Sequence, residues 1–340
     1  MAALPQFKTL ALHLPQFRTR LLILGTGQLA KELCEALVEH HSGAYEVLGF
    51  LDRNPAHAGE RLANLPIIGT YGQMFELVER FDVHSVAVCL EDRRAILPVQ
   101  TLLDFKAMGI DVVDGHRLYE EKSGRLSIDV LKPSALIFSE GFRRPPLIML
   151  LKRLVDVALS IVGLVALAPL FVLVGILIKL DSPGPVFYKQ IRVGYRGRPY
   201  TIWKFRSMRQ DAERHGALWA STDDPRVSRV GRWIRKWRID ELPQLINVLK
   251  GEMSLVGPRP ERPVFVQELR NAIPYYDLRH TVRPGITGWA QTQFRYGASA
   301  EDSHMKLQYD LYYVKNLALP LDFRIMTESI RVVLLGEGAR

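Results

Sequence analysis

Along the first 130 residues the hydrophobic positions alternate between short apolar runs and helical stripes. LLILG (21–25) runs into a glycine turn, and QLAKELCEALVEH then continues at helical spacing through Leu29, Leu33, Leu37 and Val38. YEVLGFLD (45–52), HSVAVCL (84–90) and GIDVVD (109–114) have the composition of further strands, with helical stretches near 71–80 and 94–107. Strand and helix in alternation predict an α/β fold: a Rossmann-like domain with a parallel sheet over 19–130, preceded by an N-terminal extension of 1–18.

After a polar stretch and a linker at 131–147 that carries Arg143 and Arg144, the pattern changes. VALSIVGLVALAPLFVLVGILI (157–178) is uncharged throughout, and at about 1.5 Å per residue its length matches a hydrocarbon core of about 30 Å. This predicts a membrane segment over 154–180 within a mostly helical domain of 148–340. Pro169 removes a backbone donor and crowds the preceding turn, so a kink or a helix-break-helix is expected there. Basic residues lie on both flanks, Arg143, Arg144, Lys152 and Arg153 before and Lys179, Lys189, Arg192, Arg196 and Arg198 after, so they define no inside and outside. A re-entrant helix with both ends on the cytosolic face satisfies this distribution; an ordinary kinked spanning helix is the alternative. GRWIRKWRI (231–239) mixes tryptophan, isoleucine and basic residues as an interfacial helix does, although a helix packed on the protein has the same composition. Residues 309–335 carry further aromatic and aliphatic faces suited to the headgroup region.

Charge narrows the partners. Lys and Arg number 45 against 36 Asp and Glu, a net +9 that suits nucleotides, phospholipid headgroups or nucleic acid. No helix-turn-helix, zinc or RNA-binding signature accompanies it, and the long apolar run argues against nucleic acid. Cys34 and Cys89 make neither a disulfide framework nor a zinc site, which points to a reducing compartment. The first twenty residues are broken by Pro5 and Pro15 and lack the pattern of a signal peptide.

Two stretches carry candidate chemistry. Gly25-Thr26-Gly27-Gln28-Leu29-Ala30 fits the looser G-x-G-x-x-A dinucleotide fingerprint, and Asp52 ends the second strand where a ribose-binding acid sits. Glycines there are equally required by close strand-to-helix packing, and no dehydrogenase acid–base group follows. The second stretch, WRIDELPQLINVLKGEMSLVGPRP (237–260), opens on paired acids. Asp240 has the makings of an N-cap, Glu241 and Pro243 of a first turn, and Lys250-Gly251 of a stop. Capping does not explain the density of cations around it in sequence: Lys204 and Arg206 in IWKFRSM, Arg235, Arg238, Arg259 in GPRP, Arg283 in RPG and Arg295 in QFRYG. Guanidinium forks bind phosphoryl oxygens bidentately, so a phosphate site needs such donors, and a hydrophobic anchor makes a phosphate-bearing lipid a plausible substrate. His215, His280 and His304 lack ligand spacing and are assigned to surface or packing.

Taken together, DSPGPVFYKQIRVG (181–194), WKFRSM (203–208), residues 237–260 and VRPGITGWAQ (282–291) resemble, in order, the bacterial sugar transferase family, the monotopic polyprenyl-phosphate phosphoglycosyl transferases, over 148–335. The N-terminal part resembles the nucleotide-binding-like domain of longer members, which initiate capsule, exopolysaccharide or O-antigen synthesis. Those usually begin with membrane helices absent here, so the chain is read as a shortened form or a fragment. The resemblance implies that Asp240 attacks the β-phosphorus of a UDP-sugar, releasing UMP, and that undecaprenyl phosphate then takes the sugar-phosphate from the enzyme. It implies Mg²⁺ on Glu241, phosphate gripped by Arg235, Arg259 and Arg295 with Lys204 assisting, and Arg283 as a weaker member of that set. UDP-glucose or UDP-galactose is the expected donor. Membrane phospholipids, a second copy of the chain and downstream glycosyltransferases are the expected partners, on the cytoplasmic face of the bacterial inner membrane. The break in small members falls at Ser-Pro; here Ala168-Pro169 lacks the hydroxyl that satisfies a freed backbone group. The N-terminal domain is expected to regulate, bind nucleotide or mediate dimerisation. A noncatalytic scaffold predicts no UMP release, and a nicotinamide-dependent sugar-nucleotide enzyme, relying on Gly25, Gly27 and Asp52, predicts indifference to Asp240.

Overall fold

The computed structural model describes residues 18–40, 44–90, 97–131, 133–209, 212, 224–294 and 299–334. The chain divides into two compact units, Met1–Ile137 and Phe138–Arg340.

The first unit runs β1 (Thr19–Leu24), α1 (Gln28–His40), β2 (Tyr45–Asp52), β3 (Arg61–Leu62), β4 (Leu65–Thr70), α2 (Met74–Arg80), β5 (Ser85–Val88), α3 (Val99–Ala107), β6 (Asp111–Asp114) and α4 (Gly115–Ser123), with α5 (Pro133–Phe138) at the division. Its sheet has the order β3-β4-β2-β1-β5-β6, all parallel except the β3–β4 hairpin. Successive side chains of β1 point to opposite faces. Leu21 and Ile23 join Leu29, Leu33 and Leu118 in one core, while Leu22 and Leu24 join Met74, Val78 and Phe105 in the other. The sheet is thus covered on both sides, as the near-continuous apolar strands predict. Replacing fully buried Leu22 by alanine should cost about 2–5 kcal/mol, read as a lower urea midpoint of the first unit's transition.

Gly25 is dictated by this sheet. Its φ is +114°, and a Cβ there would lie 2.8 Å from the carbonyl oxygen of Cys89, which follows β5. The fingerprint glycine therefore has a packing cause.

The second unit runs α6 (Pro146–Ala166), α7 (Ala168–Asp181), β7 (Phe187–Val193), β8 (Pro199–Phe205), α8 (Arg229–Lys236), α9 (Gln244–Lys250), β9 (Ser254–Val256), α10 (Pro263–Ala272), β10 (Gly285–Thr287), α11 (Trp289–Gln293), α12 (Ala300–Lys315) and α13 (Leu319–Leu334). Among the described residues no single helix is long and apolar enough to cross a membrane, but α6 and α7, bent by 60°, satisfy length and composition together. The chain breaks at Leu167, and Pro169 stands in the first turn of α7, where a missing N–H leaves no bond unmade. Helix α6 inverts the polarity of a water-facing helix: Lys152, Asp156 and Ser160 are buried on one stripe, whereas Leu150, Leu151, Leu154, Leu159, Ile161, Val162 and Val165 are exposed. Inward polar groups and outward aliphatics are what a lipid environment selects.

The headgroup expectation for 309–335 divides between two helices. The aromatic face of α12 is internal, with Tyr309 and Tyr313 buried, whereas α13 exposes Phe323 and Ile330. In α8, Trp233 is exposed while Ile234 is fully buried, so the segment read as interfacial is also packed on the protein.

Candidate active site

The acid pair is set by the elements on either side of it. Ser228 caps α8 by accepting from the N–H of Gly231, and Asp181 at the end of α7 accepts from Val230 N–H at 3.1 Å. Gly231 lets α8 close onto the backbone after β8, since a Cβ there would lie 1.9 Å from Ser207 O. Arg238 then takes a left-handed conformation, φ 55°, and turns the chain directly into a 3₁₀ turn over Ile239–Glu241. Such a conformation in a non-glycine residue costs of order 1 kcal/mol or more and is held only where surroundings enforce it.

This placement corrects the capping expectation. Asp240 lies inside the 3₁₀ turn, α9 begins at Gln244 after Pro243, and the Asp240 carboxylate accepts no hydrogen bond among the described residues. The physical reason is the turn at Arg238, which starts helical backbone one residue before Asp240. Asp240 and Glu241 are both buried, 8% and 6% exposed, which rules out a simple solvated cap.

Glu241 is paired on one oxygen only. Its Oε1 accepts from Lys204 Nζ at 3.0 Å and from Arg259 at 2.7 Å, and Oε2 makes no bond to the described residues. Lys204 comes from β8, Arg259 from the turn after β9. Burial works against the Glu241 charge, yet Arg259 and Lys204 hold its carboxyl well below the ordinary range. Burial acts in the same sense on Asp240 but there it prevails and raises the carboxyl; Lys204 holds part of that back and Glu241 adds to it. Glu241 makes Arg259 still harder to deprotonate. Adjacent carboxylates thus diverge: one committed and firmly ionised, the other unbonded and more basic. Arg235 and Arg238 also act on Asp240, so four cations surround two acids.

The remaining expected residues fall as follows. Arg283 donates from Nε to Gly251 O at 3.0 Å and lies over the Tyr195 ring, with no contact to the acid pair. Arg206 caps α7, donating to the carbonyls of Pro183 and Ser182, and is structural. Arg295 and His215 lie outside the described residues. In the first unit, Gly25 and Gly27 flank the β1–α1 turn, and the Asp52 carboxylate is occupied by Thr26 Oγ1 at 2.6 Å, His57 Nδ1 at 2.9 Å and Asn54 N at 2.9 Å. Burial is outweighed by these bonds, and the Asp52 carboxyl falls to about 2; a ribose hydroxyl has to compete with Thr26 and His57.

Several supports were invisible as a pattern. Asn247 of α9 docks on β8 by donating to Thr201 O at 2.7 Å and accepting from Trp203 N at 3.0 Å. Arg153 of α6 donates to Val248 O at 2.6 Å and Leu249 O at 3.0 Å, closing the end of α9. Arg192 and Arg279 donate to Pro260 O at 3.0 Å and Arg259 O at 2.8 Å, fixing the backbone that bears Arg259. A Cβ on Gly257 would stand 2.3 Å from Arg283 O and one on Gly285 2.1 Å from Gly257 N, so the GPRP and RPG segments share one tight backbone junction.

His280 lies buried beside Tyr276, and burial first, then Arg279, pushes its imidazole down to about 4 from 6.5. The folded state therefore disfavours its protonation. Its contribution is complete above about 6.5 and is lost as pH falls toward 4. Asp310, pushed up to about 6 by burial, acts in the opposite sense over part of this window. Comparison with His280→Gln isolates the histidine: between pH 7 and 4.5 wild type should lose about 2–3 kcal/mol more stability than the variant, by urea unfolding. Equal losses would show that His280 is not held neutral.

Among the described residues no three His, Cys, Asp or Glu side chains group as a metal cage. Mg²⁺ needs none, since it is commonly held by one or two carboxylates plus substrate phosphates and water. The hard, unbonded Oε2 of Glu241 suits that mode.

Comparison with known proteins places this geometry. The bacterial sugar transferase model matches residues 147–336. An undecaprenyl-phosphate glucose phosphotransferase of Komagataeibacter xylinus is 34% identical over 97% of this chain and 63% of its own length. A UDP-N-acetylgalactosamine-undecaprenyl-phosphate N-acetylgalactosaminephosphotransferase of Aeromonas hydrophila is 48% identical over 66% of this chain and 52% of its own. The exopolysaccharide production protein PSS of Rhizobium leguminosarum bv. phaseoli is 41% identical, over 54% of this chain and 94% of its own. The chain thus spans only 52% and 63% of the first two relatives. With the family match covering more than half of its length, including the acid pair, Lys204, Arg259 and the bent helix pair, the chain belongs to the bacterial sugar transferase family.

Proposed function

We propose that the second unit transfers a sugar 1-phosphate from a UDP-sugar to undecaprenyl phosphate on the cytoplasmic face of the bacterial inner membrane. The observation that carries this is the asymmetry of the acid pair: Glu241 is ion-paired to Lys204 and Arg259, while Asp240, one residue away, is unbonded and raised. An oxygen of Asp240 attacks the β-phosphorus, the bond from that phosphorus to the bridging oxygen breaks, and UMP leaves with the electron pair. An undecaprenyl phosphate oxygen then attacks the same phosphorus, breaks its bond to Asp240 and restores the carboxylate. Lys204, Arg259 and Arg235 supply charge to the phosphoryl oxygens, and Arg295 and Arg283 belong to this proposal by resemblance alone. Mg²⁺, held by Glu241, would neutralise the diphosphate when bound. The exposed aliphatics of α6 and α7 set the site at the depth where a polyprenyl phosphate presents its headgroup.

For the donor we retain UDP-glucose or UDP-galactose; UDP-N-acetylgalactosamine is the second reading, favoured by the name of the 48% identical relative. The test is UMP release by detergent-solubilised protein given each UDP-sugar, Mg²⁺ and undecaprenyl phosphate. Lipid-dependent release with one or two donors is expected. Release with none, from folded protein, would leave a scaffold as the better description.

A further inference from the structure

We infer that the buried polar stripe of the membrane helix α6 positions Arg259, acting through β9. The inference rests on the proposed function for its kinetic consequence, but its structural content stands on the bonds alone.

Lys152, Asp156 and Asp322 are 7%, 4% and 4% exposed, in a helix pair and neighbourhood otherwise rich in aliphatic surface. A charge placed there is costly unless every partner is in place. The partners are in place, and they converge on one strand. Lys152 Nζ donates to Asp322 Oδ2 at 2.7 Å and to Val256 O at 3.1 Å. Tyr313 OH donates to Asp322 Oδ1 at 2.8 Å and also approaches Val256 O at 3.1 Å. Asp156 Oδ1 accepts from Leu255 N–H at 3.0 Å. Side chains from α6 and α12, braced by Asp322 of α13, thus hold the N–H of Leu255 and the carbonyl of Val256, two consecutive residues of β9.

From Val256 the chain reaches Arg259 through Gly257-Pro258, and that path is stiff. Gly257 N donates to Thr287 O at 2.9 Å, Gly285 N donates to Pro258 O at 3.0 Å, and no side chain fits on Gly257. A displacement of Val256 has little slack in which to dissipate before the guanidinium that meets Glu241 at 2.7 Å. Simple anchoring of α6 would need only apolar packing, and a well-packed apolar replacement of a buried ion pair is often neutral or stabilising. Retaining the charges directs bonds at a particular carbonyl and a particular N–H.

The test compares Lys152→Met and the milder Tyr313→Phe, which keeps the ring and removes only the hydroxyl, with wild-type full chain in detergent. Hydrogen exchange is read on peptides spanning 254–262 and, as a control, 187–205. Faster exchange at 254–262 with unchanged 187–205 is expected for both variants. Kinetically, each should lower kcat/KM for the UDP-sugar about tenfold, and the loss should vanish in an Arg259→Lys background, because the stripe acts through Arg259. Unchanged exchange at 254–262, or losses that multiply in the Arg259→Lys background as independent ones do, overturns the inference. If Lys152→Met does not fold, Tyr313→Phe alone decides by the same two readouts. If wild type releases no UMP from any donor, the proposed function fails, and the exchange measurement alone decides whether the stripe holds β9.

Discussion

Asp240→Asn should abolish UMP release, lowering kcat by about 10⁴-fold or more while leaving the fold intact. The substitution is nearly isosteric, and it exchanges one carboxylate oxygen for an amide NH₂ and removes the charge that the proposed attack requires. Because the carboxylate makes no hydrogen bond among the described residues, no existing donor loses its acceptor, and burial already penalises the ionised form. Stability should therefore change little or rise slightly. Retained turnover would remove Asp240 from the chemistry; lost turnover with unfolding would make it structural. Glu241→Gln behaves differently, since it leaves Lys204 and Arg259 facing a neutral amide and should cost both stability and activity.

Arg259→Ala should be the second large effect, and it should be a double one. Among the described residues Glu241 is then left with Lys204 as its only hydrogen-bonded cation, in a site where its side chain is 8% exposed. Breaking a buried pair from one side typically costs about 3–5 kcal/mol, and the exposure of Arg259 itself, 37%, places this case toward or below the lower end. On the proposed mechanism, activity should fall about 10²–10³-fold through loss of a fork that would serve phosphoryl oxygens. Arg259→Lys keeps the charge without the fork, so it should recover most of the stability and little of the activity. Thermal unfolding and UMP release on the same preparations separate these contributions. Full activity in Arg259→Lys would mean that a point charge suffices.

How much of this was legible in the sequence follows from the range of each interaction. The strands β1, β2 and β5 and the glycine turn could be read because alternation and turn chemistry are local. The inverted polarity of α6 is local as well: Lys152, Asp156 and Ser160 recur every four residues and so lie on one helix face. Counted among the flanking charges, Lys152 does not reveal it. The pairing of Lys204, Glu241 and Arg259 was accessible only as a density of charge. Its geometry depends on β8, the 3₁₀ turn and the Gly257–Gly285 junction meeting in space. Arg279, whose guanidinium contacts Arg259 O and Asp310, had no local signature at all. At Asp240 local and tertiary signals differ: Asp followed by Glu and Pro is a good helix start, but the left-handed backbone at Arg238 moves the start upstream, and that is a tertiary outcome.

The most direct measurement is intact-protein and peptide mass spectrometry of the full chain after incubation with UDP-sugar and Mg²⁺ in the absence of undecaprenyl phosphate. A covalent route predicts an adduct of one sugar phosphate per chain, mapped to the peptide bearing Asp240, absent from Asp240→Asn and discharged when undecaprenyl phosphate is added. UMP formed by active enzyme only when both substrates are present, with no adduct at any time, would contradict a carboxylate nucleophile and favour direct transfer between bound donor and acceptor.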